Sequence, residues 1–371
     1  MKILTRYILK EQLSPFFAGF LFLTFILLFN KLFLLAELIF NRNVEVFLVL
    51  KLFLLMLPDT VSLTVPMSFL IAVVMAMGRL STDSELIALR VTGLSIYRII
   101  RPLIISGFVV FILMLIFNET LLINSNEDYN KIFIKIVQSS PSSVIEDGIF
   151  TSFGDKTIWV EKIYRKSGKM RNVMLFSRKN NKVWDIIKAK RGMWMQNSDG
   201  SKTLVLFNGR VFSSDFENDS LSIVDFNNGR SEILLSDSKI DHNEEKGKLN
   251  PTEMTSLELY RVLKVIDKSY KEDRTVALYW VELFKKYALP FSCVVFSIIG
   301  APLGIFSKRS GKGIGFGLSI VVFFVYYVFF MIGQSLSIRG LLHPFIGVWS
   351  ANIILFFAGL LLIVYKEKSG I

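Results

Sequence analysis

The sequence has little of what a disulfide, a metal site or a catalytic triad requires. Its 371 residues include one cysteine, Cys293, so no disulfide can form within the chain. The two histidines, His242 and His343, lie far apart and have no Cys or His neighbours at ligand spacing. Neither has an obvious acid partner for nucleophilic catalysis. We therefore predict no metal site and no catalytic residues.

A phosphate-binding loop is also missing. The segment Ser310-Gly311-Lys312-Gly313 lacks both the upstream glycine and the Ser or Thr after the lysine that such a loop requires. We therefore expect no cofactor in this chain. If the protein uses ATP, a separate chain must hydrolyse it.

Apolar residues, by contrast, are abundant. The chain is 52% hydrophobic, has a mean hydropathy of +0.49 and contains 34 phenylalanines, which is typical of a membrane protein. In a soluble protein, a net charge of +12 would suggest that the chain binds nucleic acid. Here the positive-inside rule explains the charge better, since the middle region mixes acids with its bases. We expect no nucleic-acid binding.

The apolar runs predict six membrane spans, because each is close to or above the ~20 residues that a span requires. The second run is too long for one straight span and contains Pro58 and Pro66. Counting it as one proline-bent helix places every basic cluster on the cytoplasmic side, together with both termini. The first span is then an uncleaved N-terminal helix. The six runs are 13–36, 46–78, 102–123, 287–306, 314–338 and 344–365.

The region 124–250 differs in kind. It contains alternating runs such as TIWVEKIY (157–164) and KTLVLFNGRVF (202–212), separated by turn signals. This pattern predicts an antiparallel β sandwich or roll, which the parity of the spans places outside the cytoplasm. A polar linker at 236–251 leads to a predicted amphipathic helix near 252–270. The predicted organisation is three spans (1–123), a β domain (124–250), then a linker helix and three spans (251–371).

Residues 81–95, STDSELIALRVTGLS, predict a separate short helix between the second and third spans. Thr82 and Glu85 match a capping box, and Gly93 is a typical stop signal. Leu86 and Leu89 would form a small apolar face. Two interpretations stay open: Glu85 only caps the helix, or the helix docks into a groove of another protein and Glu85 pairs there with arginine.

Lys31 follows a clean apolar run at the outer end of the first span. It either snorkels to the membrane surface or faces a cavity where it meets lipid phosphate. Three further cations, Lys285, Lys286 and Arg339, lie at the outer ends of later spans. Each of them either binds lipid phosphate in the same way or anchors its helix at the membrane interface.

The two-proline second run and five further segments form a distinctive set. The five are RYILKEQLSPF (6–16), DSELIALRVTGLS (83–95), ALPFSCVVFSIIGAPLGIFSKRSGKG (288–313), VYYVFF (325–330) and LLHPFIGVWSANIILFFAGLLL (341–362). Together they resemble the permease subunits of the lipopolysaccharide-transport ABC exporter, the LptF/LptG family. The resemblance covers nearly the whole chain in order, strongly in the membrane halves and only by strand pattern in the β domain.

The resemblance implies an α-helical integral inner-membrane protein with six transmembrane helices and an inserted periplasmic β-jellyroll-like domain. It implies a heterodimer with a second permease of the family, bound to a homodimeric cytoplasmic ATPase that holds ATP and Mg²⁺. The cargo would be lipopolysaccharide or another anionic glycolipid, passed to periplasmic lipid-bridge proteins. Residues 81–93 would be the coupling helix, contacting the ATPase through Asp83, Ser84, Glu85, Leu86, Leu89, Arg90 and Gly93. The candidate lipid-binding residues are Lys31, Lys285, Lys286 and Arg339.

Two other classes of function remain possible from the sequence. A membrane enzyme acting on lipid-linked sugars would need catalytic acids in an outer loop near the first spans, where only Glu37 and Glu45 are available. A mechanotransmitting permease-like protein that moves no lipid would share the coupling helix but lack a cation-lined cavity.

Overall fold

A computed structural model describes residues 2–40, 45–139, 145, 147–153, 156–164, 168–179, 182–196, 202–215, 220–234, 251–266, 274–306 and 312–368. His242, nearly all of the predicted linker at 236–251 and the Ser310-Gly311 pair lie outside these ranges, as does the side chain of Glu37. The chain divides into two compact units. We call Met1–Phe33, Phe53–Asp128 and Leu249–Ile371 the membrane unit, and Leu34–Leu52 with Tyr129–Lys248 the sheet unit.

Six helices of the described residues are long and apolar enough to cross a membrane, which confirms the predicted number. The helices are α1 (Lys2–Phe40), α2 (Val46–Thr82), α3 (Glu85–Val91), α4 (Ile96–Phe117), α5 (Ile123–Ser139), α6 (Ser256–Ile266), α7 (Arg274–Phe306), α8 (Lys312–Ile338) and α9 (Pro344–Lys368). The candidate spans are α1, α2, α4 with the start of α5, α7, α8 and α9.

The long second run forms one helix, as predicted. α2 continues without a break through Pro58 and Pro66. Its 37 residues correspond to a length of about 55 Å. This exceeds the hydrocarbon thickness of about 30 Å, so α2 must tilt or project beyond it.

The third span is longer than predicted. A π-helical turn at Asn118–Leu122 joins α4 to α5, so the chain stays helical to Ser139 instead of ending near residue 123. A hydrogen bond connects the turn to α2, since the Ser62 hydroxyl donates to Asn118 Oδ1 at 3.0 Å. π-turns of this kind occur often at functional positions.

The core of the membrane unit is built around α7, which packs against α4, α8 and α9. Aromatic rings fill its centre. The rings of Phe296 and Tyr326 meet edge to face, with their centroids 5.0 Å apart. α8 and α9 cross closely, and a Cβ at Gly333 would clash with the Gly347 carbonyl oxygen. Small residues allow this approach, as is common between membrane helices.

The sheet unit contains the predicted antiparallel strands. They are β1 (Phe150–Phe153), β2 (Lys156–Tyr164), β3 (Lys169–Lys179), β4 (Lys182–Gln196), β5 (Lys202–Asp215) and β6 (Ser220–Leu234), and each pairs with its sequence neighbour. Ile158, Val160, Val173 and Leu175 are buried on one face of β2 and β3. Their period of two confirms the alternation read from the sequence. The amphipathic helix predicted near 252–270 is also confirmed, as α6.

Candidate coupling helix and cation sites

The predicted coupling helix is α3, but its predicted N-terminal capping box is wrong. α2 extends to Thr82, whose hydroxyl donates to the Gly78 carbonyl oxygen at 2.9 Å. The N-cap position falls instead on Ser84, which has a left-handed backbone (φ 60°) and makes no side-chain cap hydrogen bond. Thr82 is unavailable because it lies in the last turn of α2, where the carbonyl four residues earlier takes its proton.

The predicted stop at Gly93 is confirmed. Gly93 has φ +85°, a conformation that favours glycine. Its N–H donates to the Arg90 carbonyl at 2.8 Å, and the Leu94 N–H donates to the Leu89 carbonyl at 3.4 Å. This pair of bonds is the Schellman arrangement, so α3 ends on a defined backbone turn.

Glu85 is held by the first span. The Tyr7 hydroxyl donates to Glu85 Oε1 at 2.9 Å. On the same side, Arg79 forms an ion pair with Glu11 of α1 and lies 3.5 Å from Asp83. Two polar contacts thus join the start of α1 to the α2–α3 turn. They were not predictable from local spacing, since they link residues 78 and 68 positions apart.

The apolar face that we assigned to docking points into the protein itself. Leu86 is 1% exposed and belongs to the same buried cluster as Ile8 and Ile96. Leu89 packs against that cluster. The outward apolar residues of α3 are instead Ile87 and Val91, which are 44% and 83% exposed.

Arg90 faces the end of the last helix. Its guanidinium donates to the Lys366 and Glu367 carbonyls at 3.3 and 3.4 Å and lies 3.8 Å from the Glu367 carboxylate. A cation placed there complements the exposed carbonyls of a helix C-terminus. Glu367 also accepts the Ile96 N–H at 3.1 Å, at the start of α4. α3, α4 and α9 therefore meet at one polar junction.

Lys31 lies beside an acid of the second span. Its ammonium group donates to Asp59 Oδ2 at 2.7 Å and to the Thr60 hydroxyl at 3.1 Å. The Lys31 side chain is 26% exposed and that of Asp59 52%. An acid inside an apolar run was the available signal for this partner, because such a charge normally has a counterion.

Lys285 and Lys286 also lie beside acids. Lys285 pairs with Glu282 at 2.8 Å. Lys286 donates to the Met254 carbonyl and lies 3.9 Å from Glu119, in the π-helical turn. The Lys285 pair thus lies within α7, whereas Lys286 connects α7 to the π-helical turn and to the residues before α6.

Arg339 is exposed. Within the part of the chain that the structure describes, no acid lies within ion-pair distance of it. Lipid binding by Lys31, Lys285, Lys286 and Arg339 stays a prediction.

Glu119 also holds the start of α6, where a capping box does form. The Glu119 carboxylate accepts hydrogen bonds from the Ser256 N–H at 3.1 Å and from the Ser256 hydroxyl.

The capping box of α6 is formed by Thr255 and Glu258. Glu258 Oε2 accepts the Thr255 N–H at 2.9 Å, while Thr255 Oγ1 accepts the Glu258 N–H at 3.2 Å. The hydrogen bonds from the Thr255 backbone and hydroxyl lower the pKa of Glu258 below its usual value.

Comparison with known proteins adds independent information. The family model described as "Lipopolysaccharide export system permease LptF/LptG" matches residues 6–365. The chain is 22% identical over 357 residues to the lipopolysaccharide export system permease protein LptF of Escherichia coli strain K12, covering 95% of this chain and 92% of that protein. The proteins of the same name from Escherichia coli O157:H7 and Shigella flexneri match with the same identity and coverage.

Proposed function

The chain belongs to the LptF/LptG family of lipopolysaccharide export permeases, and from that premise we propose that it is the lipid-moving subunit of an ATP-driven exporter. It pairs with a second permease, extracts lipopolysaccharide or a related anionic glycolipid from the inner membrane, and passes it through the sheet unit to periplasmic bridge proteins. ATP and Mg²⁺ bind a separate homodimeric ATPase. Both termini and α3 face the cytoplasm.

The observation that carries this proposal is the way α3 is anchored. α3 is tied to α1 through Tyr7 and Glu85, to α9 and α4 through Arg90 and Glu367, and to the core through Leu86. A rigid anchor of this kind transmits force, since a displaced α3 must move its attached helices or break these contacts. The outward residues Ile87 and Val91 give it an apolar ridge for an ATPase groove.

α1 is the natural receiver of that motion. Much of its surface is not covered by the rest of the chain: Phe17, Phe25 and Phe29 are 57%, 65% and 60% exposed. An uncovered apolar helix face in a membrane contacts lipid or a partner span. A shift of α1 would therefore change whether lipid or a span of the second permease contacts that face. This is what a lateral entrance for lipid between the two permeases requires.

Lys31 is the proposed first contact for lipid phosphate. A lysine ammonium has three N–H donors, and its contacts with Asp59 and Thr60 use two of them. The third has no acceptor in the described part of the chain and can meet an anionic group. Asp59 offsets the cost of the charge in the membrane while no lipid is bound.

Reconstitution tests the function. The chain is purified with its ATPase and second permease, placed in proteoliposomes with lipopolysaccharide, and supplied with ATP and a soluble bridge-protein acceptor. We expect ATP-dependent transfer of lipopolysaccharide to the acceptor. ATP hydrolysis that moves no lipid would favour the mechanotransmitting protein, and conversion of a lipid-linked sugar without ATPase would favour the membrane enzyme.

A further inference from the structure

A groove of about 830 Å³ opens between α1, α2 and α4 in the half of the membrane unit that contains α3. Most of its lining comes from the first four turns of α1, with Phe69 of α2 and with Ser106 and Val110 of α4. Its volume lies within the ~300–1,000 Å³ of pockets that bind small molecules. Of the residues named above for export, only Phe17 also lines this groove.

The α1 side of the groove changes character along its length. Arg6 and Lys10 come first, and Leu13 and Phe17 follow on the same helix face, at intervals of four, three and four residues. The stripe extends over about 16 Å at 1.5 Å per residue. This is about half of the ~30 Å hydrocarbon core, so the groove has the length of one leaflet. Cations at one end and apolar side chains at the other match an anionic amphiphile.

Among the residues that the structure describes, the two cations have no ion pair. Neither Arg6 nor Lys10 has an ion-pair partner in the described residues, whereas their neighbour Glu11 is taken by Arg79. Like charges four residues apart on a helix repel each other. A bound phosphate group between them would relieve that repulsion and accept hydrogen bonds from both.

A buried amide supplies a second, independent observation. Gln12 lines the groove and is only 5% exposed. Its Oε1 accepts a hydrogen bond from Ser106 at 3.0 Å, and its Nε2 has no hydrogen-bond partner within the described ranges. If the amide were flipped, Nε2 would donate to Ser106 and Oε1 would instead be the atom without a hydrogen bond. An unsatisfied buried amide is costly, so turning this side chain into the groove to contact a ligand that sits deeper than the cations would be favourable.

We propose that this groove binds one anionic glycerophospholipid of the leaflet on the α3 side, as a resident lipid distinct from the exported cargo. The headgroup phosphate lies between Arg6 and Lys10, Gln12 contacts the ester region, and the acyl chains run along Leu13 and Phe17. The lipid thereby fills the space between α1 and α4. Because this proposal goes beyond export, a failed transport assay would leave it unaffected.

Native mass spectrometry of the purified permease complex tests the proposal directly. The complex is delipidated in a neutral detergent and titrated with phosphatidylglycerol or phosphatidylcholine. We expect one tightly bound phosphatidylglycerol per copy of this chain. The double variant Arg6→Gln/Lys10→Gln should bind it roughly tenfold or more weakly, since losing a charge-assisted contact costs at least a factor of this order.

Two further variants make the result specific. Arg98→Gln/Arg101→Gln removes two exposed cations near the start of α4, outside the groove, and should leave binding unchanged. Gln12→Leu keeps the side-chain volume but removes the amide. It should weaken the binding of phosphatidylglycerol less than the double variant does. Equal binding of phosphatidylglycerol by wild type and Arg6→Gln/Lys10→Gln would overturn the proposal. So would equal affinity for phosphatidylcholine, or crosslinking of Leu13→Cys to the second permease in place of lipid.

Discussion

Lys31 Nζ lies 2.7 Å from Asp59 Oδ2, an ion pair that joins the two apolar helices α1 and α2. The pair is half open to its surroundings, with the acid more exposed than the lysine. Exposed ion pairs contribute about 0–1 kcal/mol in water, so stability alone is a weak reason for this one. Its position on α1 makes a role in binding anionic lipid the sharper hypothesis.

Separate neutralisation of each partner distinguishes the two roles of this pair. If Lys31 binds lipid phosphate, Lys31→Gln should lower lipopolysaccharide crosslinking roughly tenfold. Lys31→Arg should largely preserve it. Asp59→Asn should preserve or increase it, because the lysine loses its competitor. A purely structural pair predicts equal losses for Lys31→Gln and Asp59→Asn, and recovery in the double variant.

The Tyr7–Glu85 hydrogen bond should couple ATP hydrolysis to α1. Tyr7→Phe removes only the hydroxyl, at a cost of about 0.5–1.5 kcal/mol because this hydrogen bond is exposed to solvent. We expect lipid-stimulated ATPase activity to fall while ATPase association persists. Tyr97→Phe is the matched control, because Tyr97 is exposed near the start of α4. A normal stimulated rate in Tyr7→Phe would remove this contact from the coupling route.

Inward and outward residues of α3 should respond in opposite ways. Val91→Asp and Ile87→Asp change exposed positions, so the free energy of unfolding should move by no more than about 0.5 kcal/mol. ATPase co-purification should be lost, because a charge enters the apolar contact. Leu86→Ala should instead destabilise the permease by about 2–5 kcal/mol. Retention of the ATPase by Val91→Asp, with an unchanged melting temperature, would place docking elsewhere.

The α6 capping box should depend on pH. Since folding lowers the pKa of Glu258, its contribution is present above the ordinary carboxyl pKa and is lost as the pH falls through the lowered value. The hydrogen-exchange protection factor of the first turn of α6, which is corrected for the intrinsic exchange rate, should therefore fall under acid. Glu258→Gln should make that protection factor insensitive to acid over the same range. Thr255→Ala should cost about 0.5–2 kcal/mol at neutral pH.

Labelling with a membrane-impermeant thiol reagent tests the proposed orientation. The native Cys293 is buried and gives little background. Ser222→Cys, at an exposed position of β6, should react from the periplasmic side of intact inner membranes. Thr92→Cys, exposed at the end of α3, should react only after the membrane is opened. Labelling of position 92 from outside would contradict the six-span orientation.

Much of the architecture was predictable because it depends on short-range patterns. Long apolar runs identify the spans, period-two alternation identifies β2 to β6, and Gly93 identifies the end of α3. Each of these signals lies within a few turns of chain, where backbone geometry and hydrophobic burial act directly. The resemblance to the LptF/LptG family rests on the same stretches, and the family match over residues 6–365 confirms it.

Tertiary structure alone decided the partners of Lys31, Glu85 and Arg90. Lys31 and Asp59 are 28 positions apart, Tyr7 and Glu85 are 78 apart, and Arg90 and Glu367 are 277 apart. The capping box was wrong for a related reason: helix α2 extends one turn further than its apolar run, and claims Thr82. The sequence by itself determined which segments are helices, strands and stops. Only the packing of distant helices decided which faces stay exposed, because a side chain's partner depends on what the fold brings beside it.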